Sequence, residues 1–370
     1  MLSKAKKKIV FVGGGHSHAL VLKQWAASDD TEVVLVSPGT HTPYSGMLPG
    51  LVAGHYSKDE IFIDLVKLCQ ERNVRFINGT LVSIDLKAKT IALAEGQTMT
   101  FDVLSLDTGS VPEQDTLGVL EYSTPVKPIS SFYQRWIKIK DNVSSIDGEY
   151  NLVVVGGGAA GYELATAIEF ALGDKQCRVH WVVRSSLPLS SRPTSLRKKV
   201  LESARKRDVQ VHVGFDVTEV SKNRLHAKDG RDLEADEVLW CAGAAAPSWP
   251  KSSGLQTDGR GFVAINVHLQ SVSHPFVFAS GDVGTLVESP TPKAGVFAVR
   301  HAPVLLENLQ RFCRGSELKT FKPQKDFLTI LAAGEKYAIA NRGWLSVKGR
   351  WVWRWKNQID KKFMNQFGAG

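Results

Sequence analysis

Residues 151–167, NLVVVGGGAAGYELATA, decide how the rest of this chain is read. Residues 152–155 form a short apolar, β-branched run of the kind a strand buried on both faces requires. Gly156, Gly158 and Gly161 then fall on the G-x-G-x-x-G spacing. The first allows a sharp turn, the second lets a pyrophosphate approach the backbone, and the third lets the next helix pack close to the strand. That helix aims unpaired N–H groups and a partial positive charge at the pyrophosphate. With a readable strand before it and a helix after it, the motif predicts a dinucleotide-binding turn rather than a glycine turn with no ligand.

A second unit of the same kind opens the chain. Residues 8–12 read as an apolar strand, followed by Gly13-Gly14-Gly15-His16-Ser17-His18, a helix at 19–27 and a strand at 32–37. Gly13 and Gly15 fill the first two glycine positions. His18 stands at the third, which predicts a helix set farther from its strand or tilted. Ser37 ends the second strand, where an acid ordinarily holds an adenosine ribose. Either the ribose is held differently or no dinucleotide binds here.

Residues 40–54, THTPYSGMLPGLVAG, are an ordered loop expected at the carboxyl edge of the sheet, where ligands bind. A helix at 64–72 and a strand at 74–77 follow. Segments 80–85, 90–94 and 101–106 read as a β-meander ending in Asp107-Thr108-Gly109. Residues 110–150, richer in Pro, Ser and Gly, carry the crossing into a second domain and hold a helix around 131–140. After the fingerprint come a strand at 178–183, a basic helix at 196–207, a strand at 238–241 and the turn Ala242-Gly243-Ala244. From Phe262 the chain returns to the first domain, with a strand at 275–280, Gly281-Asp282 and a helix at 293–311. The expected fold is α/β: two Rossmann-like three-layer (ββα/βαβ) nucleotide-binding domains, the second inserted in the first. The expected boundaries are 1–118 with 255–320, 119–254, and a C-terminal segment 321–370.

Composition bounds the function. The 370 residues are 43% hydrophobic and 22% charged, ordinary for a globular chain with a real core. No apolar run reaches the roughly 18 residues of a membrane span, and no cleavable signal peptide is evident. Cys69, Cys177, Cys241 and Cys313 stand apart with no CxxC, so no metal site and no disulfide framework is expected, and a reducing, cytoplasmic compartment fits. The net charge of +9 suits anionic ligands, an anionic membrane surface or plain solubility. It is dispersed and carries no nucleic-acid recognition motif. In GRWVWRWKNQIDKKFMNQF, from Gly349, Val352, Trp355, Ile359 and Phe363 follow helical spacing, with Arg354, Lys356, Lys361 and Lys362 adding positive charge. This helix either lies in a membrane interface or packs on the first domain or a partner subunit.

These landmarks, with Ala279-Ser280-Gly281-Asp282 and Pro292-Lys293-Ala294-Gly295, resemble the two-dinucleotide-binding-domain flavoproteins of the pyridine nucleotide-disulfide oxidoreductase superfamily. Within it the chain is similar to type II NADH dehydrogenases and sulfide:quinone oxidoreductases. It resembles more closely still the flavoprotein domain fused ahead of selenide, water dikinase in some bacteria, through GGGHSHALVL, TPYSGMLPGLVAGHY and PKAGVFAVRHAPVL. The resemblance implies FAD in the first unit, held by Gly13, Gly15, His16, Ser17, Ser37, Pro43, Tyr44, Thr108, Gly109, Gly281, Asp282, Gly295 and Val296. It places Asp282 on the ribityl chain and Lys293 near the pyrimidine edge of the flavin. It implies NADH or NADPH in the second unit, held by Gly156, Gly158, Gly161, Arg184 and Gly243, with Glu163 beside the nicotinamide. Arg184, helped by Arg192 or Arg197, would meet a 2′-phosphate and so favour NADPH. No CxxxxC pair exists for a dithiol relay, so the acceptor is expected to be a quinone or another small molecule. The competing expectation is a flavin-binding, redox-responsive module linked to selenium metabolism, with little turnover. A homodimer and a peripheral membrane location are left open.

Overall fold

Two parallel five-stranded sheets organise the computed structural model, which describes residues 6–173, 176–324 and 326–368. In the first, Lys7–Val12 is central, flanked by Val103–Leu106 and Thr31–Ser37, with Val277–Ala279 and Arg75–Asn78 at the edges. In the second, Tyr150–Val155 is central, between Glu237–Trp240 and Cys177–Val183, with Thr124–Pro125 and Gln210–Val213 outside. The edge strand Val277–Ala279 comes from beyond the second sheet, so the second unit interrupts the first. Ile9, Val10, Phe11, Leu152, Val153 and Val154 are wholly buried, as strands covered on both faces must be.

Two expectations are corrected. Residues 40–54 are not a loop throughout: His41–Pro43 is a strand antiparallel to Phe62–Asp64, and Leu48–Val52 is a short helix whose Pro49 sits in the first turn, where its missing N–H costs no hydrogen bond. Residues 101–106 do not complete the meander. Its third strand is Thr98–Thr100, antiparallel to Thr90–Leu93, which pairs with Leu81–Asp85. Val103–Leu106 instead joins the first parallel sheet. All four of its residues are buried, and such a strand needs cover on both faces rather than one.

The helices begin where the glycine turns release the chain. His16–Gln24 follows the first turn, Ala159–Leu172 the second, and Gly295–Arg314 follows Val277–Ala279 in the first domain. The C-terminal segment holds an antiparallel sheet, Thr329–Ala333, Glu335–Arg342 and Leu345–Gly349, and then the helix Arg350–Asn365. Gly334, at φ +74°, lies so close to the Thr166 carbonyl that a side chain there would collide with it, so this sheet seats directly on the helix Ala159–Leu172.

Candidate active site

The second glycine turn does what its spacing requires. Gly156 has φ +141°, a conformation that side chains disfavour, and Gly161 faces the Gly156 carbonyl so closely that a Cβ would strike it. The same carbonyl accepts from Trp181 Nε1 at 2.8 Å. Gly158 is exposed at the start of the helix, leaving its first N–H groups open to an anion. Gly243, at φ +66°, turns beside the Glu113 side chain. Arg184 is exposed at the end of Cys177–Val183. Its two expected helpers are engaged elsewhere. Arg197 donates to Pro188 O and Leu187 O at 2.9 Å each, and the Arg192 guanidinium lies 4.5 Å over the Phe327 ring.

The first turn brings most of the predicted flavin residues together. Gly13, at φ +92°, abuts the backbone of Asp107 and Thr108. Gly14 lies beside Ser37 Oγ. His16 Nε2 donates to Pro43 O at 3.2 Å, its ring is 5.3 Å from that of Tyr44, and Gly295 is its neighbour on the late helix. Ser17 Oγ donates to Ala298 O at 2.7 Å, tying the two helix starts together, with Val296 half-buried in the first turn of the late helix. Gly109 turns at φ +75° into open space. Asp282 accepts from Ser110 Oγ at 3.0 Å and Lys127 Nζ at 2.9 Å. Burial would raise its pKa, but Lys127 and Ser110 hold it below the ordinary value.

His18, at the third glycine position, does not point into the cleft. It is fully buried beneath the helix, edge-on to Phe11 at 4.9 Å. Its Nδ1 lies 2.6 Å from Gly13 O, which only accepts, so Nδ1 carries the proton and Nε2 accepts from Ser105 Oγ at 2.9 Å. Burial lowers its pKa to about 3, so the ring is neutral. The imidazole fills the gap between helix and strand that glycine closes in the second unit.

Whether this turn suits the pyrophosphate of FAD can be judged from what it already holds. The Asp107 carboxylate accepts from the backbone N–H groups of Ser17 and His18, the latter at 3.1 Å, so a buried anion sits at the helix start. Close by, Ser280 Oγ and His301 Nε2 are buried with no hydrogen-bond partner. An anion cradle flanked by unsatisfied polar atoms fits the group.

The C-terminal segment closes over both units. Glu163 Oε1 accepts from Ala332 N at 2.8 Å, and burial pushes this carboxyl up to about 7 against the opposing pull of Lys356. Lys356 Nζ donates to Gly46 O at 2.6 Å and to Asp360 Oδ2 at 2.7 Å. Phe363 stacks on Tyr44 at 4.3 Å and meets the His16 ring at 5.9 Å, while Tyr56 OH donates to Asn357 Oδ1 at 2.8 Å. Lys293 lies two residues before the late helix. Its ammonium donates to Gly284 O at 2.7 Å and Thr285 Oγ1 at 2.8 Å, lies 3.9 Å over the Phe262 ring, and has its pKa lowered by burial to about 8. All four cysteines are free, and burial pushes Cys69, Cys177 and Cys241 up to about 12, far from thiolate. No cluster of metal-ligating side chains occurs among the described residues.

Sequence reasoning gave no site role to Asp107, Ser110, Lys127, Lys356 or Asp360, and it read Lys356 as a surface cation, whereas the structure engages it with Gly46 and Asp360. Asp107 was legible, standing next to Thr108-Gly109 with a charge inside an apolar strand end. The others carry no local signal, because their partners lie far along the chain.

A family model described as pyridine nucleotide-disulphide oxidoreductase matches residues 7–302. The chain is 26% identical over 261 residues to ferroptosis suppressor protein 1 of Homo sapiens, an alignment covering 67% of this chain and 66% of that protein. It is 25% identical over 390 aligned positions to the type II NADH:quinone oxidoreductase NdhA of Mycobacterium tuberculosis, covering 94% and 81% respectively. Among solved structures, NDH2 from Plasmodium falciparum in complex with NADH superposes with a TM-score of 0.79 at 14% identity, covering 99% of each chain.

Proposed function

The chain belongs to the pyridine nucleotide-disulphide oxidoreductase family, and we propose from that premise that it is an FAD-dependent NAD(P)H dehydrogenase passing electrons to a quinone. FAD, when bound, supplies the centre that accepts hydride from the nicotinamide and gives up two electrons to the acceptor. The protein supplies two helix-start anion seats, Gly13 to Ser17 and Gly156 to Gly161, each at the carboxyl edge of a parallel sheet. Asp282, oriented by Lys127 and Ser110, is the acceptor held for a flavin hydroxyl. Glu163, with a carboxyl near neutrality, is suited to hold or release a proton beside the nicotinamide. The four free thiols, each pushed up in pKa by desolvation, offer no relay. The observation that carries the reading is the C-terminal segment bridging both units, with Ala332 on Glu163 and Phe363 on Tyr44 and His16. Nothing in the geometry or the relatives favours a link with selenium metabolism.

The test is an anaerobic titration of the yellow protein with NADH and NADPH, followed by a soluble quinone. Bleaching by the nucleotide and recovery of colour with the quinone are expected. Flavin-loaded protein that neither nucleotide bleaches overturns the reading, and bleached protein that a quinone does not reoxidise overturns the acceptor. In the same titration Arg184→Glu should weaken NADPH about tenfold or more while leaving NADH within a few-fold. Equal effects on both would remove Arg184 from the 2′-phosphate.

We also propose peripheral membrane contact through the C-terminal helix. Among the described residues no helix is long and apolar enough to cross a membrane. The expected stripe divides in space: Val352 and Phe363 are buried, whereas Trp351, Trp355 and Ile359, four residues apart, are exposed. Arg350, Arg354, Lys361 and Lys362 are exposed on the same helix. Aromatics with flanking cations suit the headgroup region of an anionic bilayer. The protein should co-sediment with vesicles containing anionic lipid, and W351A/W355A should lose most of that binding. A wild-type protein that stays in the supernatant sinks the idea.

A further inference from the structure

The first helix start already holds an anion, and that anion is part of the protein. Asp107 follows the buried strand Val103–Leu106, and its carboxylate accepts from the N–H groups of Ser17 and His18. It lies between the two glycine loops of the cradle. A Cβ on Gly15 would collide with the carboxylate carbon and both its oxygens, and a Cβ on Gly281 with Oδ1. These are the loops on which the flavin site, as read above, depends.

We infer that binding of a flavin pyrophosphate at this turn is coupled to uptake of one proton by Asp107. Two anions cannot share one set of backbone donors in a buried space without a large electrostatic cost. Protonating the carboxyl removes that cost and turns Asp107 from a competitor for N–H groups into an O–H donor.

The surroundings supply no other relief. No cation pairs with Asp107 among the described residues. From the helix His16–Gln24 only backbone N–H groups reach it: the His18 ring is turned to Gly13 O and Ser105 Oγ and the His16 ring to Pro43 O, and burial lowers both pKa values, to about 3 for His18. From the loop Gly281–Val283 comes Asp282, a like charge that adds to the strain and has its own cation in Lys127. From the late helix comes His301, lowered by burial to about 4, whose Nδ1 accepts from Gly281 N at 3.2 Å. The Lys293 ammonium is bound to Gly284 and Thr285. Burial has already raised the Asp107 carboxyl to about 7 without any ligand, so the proton is within easy reach.

The inference rests on the first turn being the flavin site, and the experiment separates the two. Full-length protein freed of flavin is titrated with FAD by calorimetry, in buffers of different ionisation enthalpy, between about pH 6 and pH 9. Above neutrality the wild type should take up about one proton per FAD, and its affinity should fall about tenfold per pH unit. Asp107→Asn should bind FAD with no proton uptake and nearly constant affinity over that range. FAD binding by the wild type without proton uptake overturns the coupling, as does uptake that persists in Asp107→Asn. No FAD binding at any pH takes the site itself down as well. If Asp107→Asn does not fold, the wild-type proton count decides alone.

Discussion

Gly161→Ala is expected to give a protein that stays yellow but is no longer bleached by NADH or NADPH. The added methyl would strike the Gly156 carbonyl and come within 3.0 Å of Trp181 Nε1. Both contacts are with parts that cannot move cheaply, one a backbone carbonyl and the other a buried indole bonded to it. The helix Ala159–Leu172 must lift from its strand, and its N–H groups then miss the pyrophosphate. A displacement of about 1 Å there should lower the rate of flavin reduction about 100-fold or more at limiting nucleotide. The same clash should cost about 2–4 kcal/mol of stability. Flavin content is the internal control, because the first sheet does not share this turn. Stopped-flow bleaching checks the result, and a wild-type rate in Gly161→Ala would falsify the close-approach argument. The first unit shows why the penalty belongs to this turn. There His18 occupies the corresponding position, and its imidazole fills the space with bonds to Gly13 and Ser105.

Glu163→Gln should separate the two half-reactions. Bleaching by NAD(P)H is expected to stay within a few-fold of wild type, while steady turnover with a quinone falls about 100-fold near neutral pH. Reducing a quinone to a quinol consumes two protons, and Glu163 is a carboxyl whose pKa of about 7 keeps a protonated fraction available. Glutamine still accepts from Ala332 N but has no proton to give. Wild-type turnover should therefore decline as pH rises above about 7, and the variant should lack that limb. A variant that keeps both the rate and the limb removes Glu163 from proton delivery. The same group makes a stability prediction. Its pKa rises from 4.5 in the unfolded chain to about 7 in the fold, so the native state binds more protons across that window. Stability is lost as pH rises through it. Above pH 7 Glu163→Gln should be more stable than wild type, by on the order of 1–2 kcal/mol given its partial exposure. Chemical denaturation at pH 5 and pH 8 checks the sign.

Read alone, the sequence was enough for everything a backbone demands locally. Glycines at 13, 15, 156, 158 and 161 mark places where a side chain would strain the turn or block an anion, and the apolar runs beside them mark doubly covered strands. These signals span a few residues each, so fold class, the nested order of the two units and the family resemblance were all within reach. Tertiary structure decided where side chains went. Val103–Leu106 became a sheet strand because a partner nearly 100 residues away, Lys7–Val12, offered it two-sided burial. Lys293 spent its charge on Gly284 and Thr285, Glu163 met a backbone N–H 169 residues away, and Lys356 met Gly46 across 310 residues. Which face of the last helix is buried depended on the sheet and the aromatic rings it lands on. Asp107 shows the division in one residue: its charge is plain in the chain, but that it sits in the anion seat follows only from two distant glycine loops folding around it. Local spacing encodes what the backbone must do, whereas a charge or a ring acquires its role from neighbours that only folding brings near.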